Sequence, residues 1–106
     1  KMGQPEKAET HLKEALALDP EYVDALITLA SLYNENERDD DLFELLSLAT
    51  EESLDIPLLS AFLAYAYERT EQFKKAYDSF VKAYNEMKDD YEFLSKYASF
   101  LNEEGK

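Results

Sequence analysis

Apolar side chains recur along the chain three and four positions apart. Leu26, Leu29, Ala30 and Tyr33 fall at i, i+3, i+4 and i+7, and Leu63, Ala64 and Tyr67 repeat that spacing. Ala76, Phe80, Ala83 and Tyr84 make a further stripe of the same kind. Such spacing places side chains on one face of an α-helix, and no long run of strict alternation competes as a strand. Glycine and proline are scarce, 2 and 3 in number, whereas a β-rich fold needs many turn residues. The pattern predicts an all-α chain of about six helices.

Local chemistry places the helix ends. Pro5 suits the first turn of a helix reaching about Leu18. Asp19-Pro20 reads as a cap followed by a first-turn proline, opening a helix to about Asn34. Asp39, Asp40 and Asp41 put negative charge at the start of a third helix, ending near Glu51. Asp55 and Pro57 mark a fourth, ending near Arg69, and Thr70 is the candidate cap of a fifth, ending near Met87. Asp89 with Glu92 three residues on forms a capping-box variant that opens the sixth.

The chain also repeats. Shifted by 34 residues it lies on itself without a gap: Ala30, Ala64 and Ala98 superpose, as do Leu29, Leu63 and Tyr97, and Tyr33, Tyr67 and Leu101. In the alternate helices Leu12, Leu46 and Phe80 form one column and Ala15, Ala49 and Ala83 another, while Gly3 and Gly105 share a column three periods apart. Small side chains let two antiparallel helices approach at their crossing, and large ones fill the grooves between neighbouring pairs. Each pair then buries its face against the next, which predicts a one-dimensional stack.

This pattern resembles the tetratricopeptide repeat family, whose unit is a 34-residue antiparallel helix pair. The first-helix signature is matched by Leu26-x-x-Leu29-Ala30-x-x-Tyr33, Ser60-x-x-Leu63-Ala64-x-x-Tyr67 and Leu94-x-x-Tyr97-Ala98-x-x-Leu101. Ala8, Leu12, Ala15 and Pro20 match the second-helix signature, and Ala76, Phe80 and Ala83 match all of it but the proline. The resemblance implies a right-handed α-solenoid of antiparallel helix pairs over a single domain, residues 1–106. Within it, 5–18 is a second-type helix of a truncated repeat, 20–51 and 56–87 are helix pairs, and 90–104 is a first-type helix of another truncated repeat. Departures gather in the middle: Leu42 stands in the Ala8 and Ala76 column, Leu54 and Lys88 stand in the Pro20 column, and Ser60 replaces a large residue. Because the chain starts and ends in mid-pattern, it reads as a fragment of a longer array. The end helices, around Leu12 and around Phe93, Tyr97 and Phe100, carry apolar faces expected to stick to neighbours.

Charge narrows the function. Lys and Arg number 11 against 24 Asp and Glu, a net charge of −13. Nucleic-acid binding needs a basic footprint, and anionic lipid surfaces repel such a chain, so neither is an expected partner. Apolar residues at 45% and aromatics at 13% exclude disorder. There is no cysteine, no signal core and no apolar run long enough to span a bilayer, which predicts a cytoplasmic location.

Catalytic constellations are poor. His11 is the only histidine, with Ala8 three residues before it, which excludes paired-histidine metal sites and the Glu-x-x-His motif of bundle di-metal centres. Asp39-Asp40-Asp41 and Asp89-Asp90 lack the central glycine and terminal glutamate of a calcium loop. No glycine-rich phosphate loop exists. The expectation is a protein that is not an enzyme and takes no cofactor or metal.

Recognition remains. The resemblance implies a concave groove lined by first helices. The candidate partner-binding residues beside the core stripe are Asp24, Ile27 and Ser31, then Leu58, Ala61, Tyr65, Glu68 and Arg69, then Glu92, Ser95 and Ser99, with Asn34 and Asn102 extending the outer layers. Ile27, Leu58 and Tyr65 are large apolar groups that a solvated face does not need, and Tyr65 is the one aromatic among them. Asp24, Glu68 and Glu92 repel an anionic peptide, and Arg69 alone does not make the cationic clamp by which some relatives grip acidic tails. The expected ligand is therefore a neutral or basic peptide or helix with apolar anchors. The alternative is a structural spacer or a module that self-associates through its terminal helices.

Overall fold

The computed structural model describes residues 5–48 and 55–104. Among them are six helices and no strand: α1 (Pro5–Leu18), α2 (Val23–Glu35), α3 (Asp39–Ser47), α4 (Pro57–Arg69), α5 (Phe73–Tyr84) and α6 (Tyr91–Glu104). The fold is an all-α helical repeat. The chain divides into two compact units, Lys1–Asp55 and Ile56–Lys106. Gly3, Ala49, Glu51, Leu54 and Gly105, which figure in the repeat columns and predicted ends, lie outside the described residues.

In the first unit α2 packs against both α1 and α3. Leu26, Leu29, Ala30 and Tyr33 bury the predicted face of α2, and Leu42 and Leu46 bury that of α3. In the second unit α4 packs along α5 and touches α6. Ala64, Ala76, Phe80 and Ala83 are completely buried there, so the small columns do mark close helix approach. Ser60 is buried as its column demands, although it is polar. Ala98 is exposed, unlike Ala30 and Ala64.

Several helix ends differ from the sequence expectation. Helix α2 begins at Val23, after Tyr22, because Asp19 closes a turn of its own: its Oδ1 accepts from the Glu21 amide at 3.1 Å and its carbonyl from that of Tyr22 at 3.0 Å. Thr70 does not cap α5. It ends α4, its hydroxyl donating to the Ala66 carbonyl at 2.9 Å, and α5 starts after Gln72 and stops at Tyr84. The cap of α6 is Asp90 and not Asp89, with Oδ1 accepting from the Phe93 amide at 3.0 Å.

The turn inside each pair is the same object built twice. Arg38 and Gln72, 34 residues apart, donate their amides to Tyr33 and Tyr67 at 2.8 Å in both cases. The preceding residues, Glu37 at φ 54° and Glu71 at φ 63°, take the left-handed conformation that glycine adopts at least cost.

Candidate interaction surfaces

On α2 the predicted face stays open in part. Asp24 is exposed, while Ile27, Ser31 and Asn34 are half-buried. Ile27 and Ser31 border a shallow depression of about 330 Å³ whose other walls are Ala8 and Leu12 of α1 and Thr28, Leu32 and Glu35 of α2. Leu12 and Glu35 are members that sequence spacing alone did not put there. Their signal was present in the Ala8/Leu12 stripe, which needed a neighbour on this side.

In the second unit the candidate residues separate. Ala61 is completely buried and Tyr65 is only 7% exposed, which corrects the expectation that Tyr65 stands as an open anchor. Its ring lies 5.9 Å from Phe80 and 6.4 Å from Phe62, and the Lys96 ammonium covers its face at 5.1 Å from the centroid. The cause is α6, which runs beside α4 and closes over the position. Burial, together with the negative charge of Asp90 and Glu92, pushes the Tyr65 phenol up from its ordinary value. Leu58 and Glu68 are half-buried, and Arg69, Glu92, Ser95, Ser99 and Asn102 are exposed. Lys96, a turn from Glu92 and Ser99 on α6, went unnoticed in the sequence because nothing local shows which ring it would cover.

The expected sticky face of α6 also needs correction. Phe93 and Phe100 are buried, at 5.9 and 4.9 Å from Phe80, and Tyr97 stacks on the same ring at 5.1 Å. The large apolar groups left exposed on these two helices are Phe73, Tyr77, Val81 and Tyr84 of α5 and Tyr91 and Leu101 of α6. Tyr84 meets Tyr97 edge-on at 5.8 Å, which joins the two helices.

A polar clasp in the first unit has no counterpart in the sequence reading. Glu9 of α1 accepts two bonds from the Arg38 guanidinium, at 2.6 and 3.1 Å, one from the Tyr33 hydroxyl at 2.9 Å, and pairs with Lys13 at 3.1 Å. Arg38 also donates through Nε to Asp41 at 2.8 Å and lies over the Tyr33 ring at 4.7 Å. The Arg38 bonds, more than any other contact, hold the Glu9 carboxyl down at about 2, and Glu9 in turn raises the guanidinium and Lys13. Burial and Glu9 raise the Tyr33 phenol. One signal was available: Arg38 is the sole cationic residue between Lys13 and Arg69. Among the described residues no three His, Cys, Asp or Glu side chains gather to hold a metal ion, and His11 lies exposed, 3.7 Å from Glu14. No helix among them is long and apolar enough to cross a membrane.

The model of the tetratricopeptide repeat matches residues 1–65 of the chain, and that of YpiA-like C-terminal tetratricopeptide repeats matches residues 57–106. The chain is 41% identical over 105 residues to the TPR repeat-containing protein YpiA of Bacillus subtilis (strain 168), which covers 99% of this chain. The chain belongs to the tetratricopeptide repeat family. It spans about a quarter of the length of that relative. No solved structure matches it. Tetratricopeptide repeats generally mediate protein–protein interaction, and the fold is typically non-catalytic.

Proposed function

We propose that the chain is a non-catalytic interaction module that takes a neutral or basic peptide or helix, with apolar anchors, against its first-type helices. The observation that carries this reading is the depression on α2, where Ile27 and Leu12 offer apolar contact beside Ser31 and Glu35. It lies in a strongly acidic unit: Lys1–Asp55 holds four cationic and fifteen anionic side chains, a net −11. A basic helix is steered toward such a surface and an acidic one is repelled. Ile27 and Leu12 replace Tyr65 as the anchoring contacts. The test is calorimetric titration of the chain with an amphipathic leucine- and lysine-rich helical peptide. Ser31→Arg, which fills the depression, should weaken binding at least tenfold, a loss of about 1.4 kcal/mol or more. Unchanged affinity in that variant, or equal binding of a glutamate-substituted peptide, overturns the reading.

The exposed stripe of Tyr77, Val81, Tyr84 and Leu101 favours a second reading, packing of this face against another repeat surface. Sedimentation velocity would support it by a concentration-dependent mass that Val81→Glu abolishes. A monomer at every concentration counts against it.

A further inference from the structure

A cavity larger than that depression lies on the other side of α2. It is a cleft of about 530 Å³ between α1, α2 and α3, with apolar lining from Leu16 and Ala17 of α1, Leu26 and Leu29 of α2, Leu45 of α3 and Leu48 just past its end. On α2 the residues that border it, Leu26, Leu29 and Tyr33, are roughly opposite Ile27, Ser31 and Glu35, so one helix serves two separate surfaces. The volume falls within the range of pockets that accept a ligand group.

The charged border shows which occupant fits. Lys13 is held by Glu9 at 3.1 Å and Asp41 by Arg38 at 2.8 Å. Glu44 is exposed and enters none of the ion pairs among the described residues. It stands one turn from Asp40 and Asp41 on α3, and like charges at that spacing repel until a cation comes between them. A second copy of this chain would bring another net −13 and meet the same repulsion. We infer that the cleft is a second docking site, for an extended basic segment of another protein that inserts one large apolar side chain between α1 and α3 while its Lys or Arg residues meet Glu44 and Asp40. The apolar group supplies the anchor, and the flanking cations supply orientation and capture rate.

The probe is a fluorescein-labelled heptapeptide with one central phenylalanine, a proline on each side and lysine or arginine elsewhere; the prolines keep it from presenting a helix. Its anisotropy should rise saturably with the full chain. Ala17→Arg, at an exposed wall, should weaken binding at least tenfold, and Glu44→Lys should weaken it severalfold and flatten its salt dependence. Ser31→Arg, on the opposite side of α2, should weaken it far less than Ala17→Arg does. Leu48→Lys repeats the wall test at a residue 79% exposed, so a folding defect in one variant does not decide the matter. The proposal is overturned by absence of saturation, by equal binding of the alanine or glutamate twin of the peptide, or by Ala17→Arg and Leu48→Lys both being silent. It is overturned too by a dimer that either wall variant dissociates, because the cleft then belongs to a second copy.

Discussion

In the first unit the residue that ties α1 down is Glu9, an ionised carboxylate shared by Arg38, Tyr33 and Lys13. In the second unit α6 is tied down by a phenylalanine, Phe80, which touches Tyr65, Phe93, Tyr97 and Phe100. The two units share a repeat down to the hydrogen bonds of their turns, and the Tyr33/Tyr67 column carries a cation over its ring in both, Arg38 at 4.7 Å and Lys75 at 5.8 Å. A helical repeat therefore prescribes where helices cross but leaves open what joins one pair to the next helix. The Leu12/Leu46/Phe80 column shows how little change is needed, since enlarging one member recruits a whole aromatic cluster. Charge follows the same division: net −11 in Lys1–Asp55, but only −2 in Ile56–Lys106, with seven cations to nine anions.

The largest effect that separates the units is expected at Phe80. Phe80→Ala removes the shared ring and should cost about 3–5 kcal/mol in urea denaturation, while Phe80→Leu, which restores the unit 1 residue of that column, should recover a good part of it. If both variants cost the same, the cluster is not what joins α6 to α5.

The next effect belongs to the clasp. Glu9→Gln should lower stability at pH 7 by about 1–3 kcal/mol, with allowance for water reaching the half-exposed Arg38. Because the Glu9 carboxyl falls from its ordinary 4.5 to about 2 on folding, the unfolded chain binds that proton more tightly. The contribution is complete above about pH 5 and fades as pH drops from 4.5 toward 2. Denaturation midpoints of wild type and Glu9→Gln should converge over that window. A constant gap would detach the clasp from its charge.

The smallest effect concerns what the units share. Glu37→Gly and Glu71→Gly should each raise stability by about 0.5–1 kcal/mol, because glycine takes a positive φ without the steric cost and gives back part of the gain as chain entropy. Equal gains would show the two turns to be energetically alike, as their hydrogen bonds are. A gain at one only would show that neighbouring contacts strain the turns unequally.

Residues whose partners lie on the same helix or one period away were legible in the sequence. Leu26, Leu29, Ala30 and Tyr33 follow from helical spacing, and Ala64, Ala76 and Ala83 follow from the 34-residue columns. Glu9 and Arg38 did not follow, since 29 residues separate them and neither spacing relates them. Spacing assigns Tyr65 to a face of its helix but says nothing of what covers that face. Its column neighbours Ser31 and Ser99 are small and polar, and only the approach of α6 with Lys96 turns that face inward. Helix starts shifted for a local reason: Asp19 and Thr70 are good capping residues, and each spent its oxygen on a turn or on the preceding helix.

The Phe80–Tyr97 stack has a spectroscopic consequence. Its rings are 11° from parallel, so protons of Tyr97 sit in the shielding cone of Phe80, and the chain has no tryptophan to crowd that part of the spectrum. Upfield-shifted tyrosine resonances should therefore report the second unit alone. The Tyr33 ring, covered by a guanidinium and not by another aromatic, should keep nearly ordinary shifts. A single proton spectrum would then follow the melting of the second unit without interference from the first, in one tube and without a label.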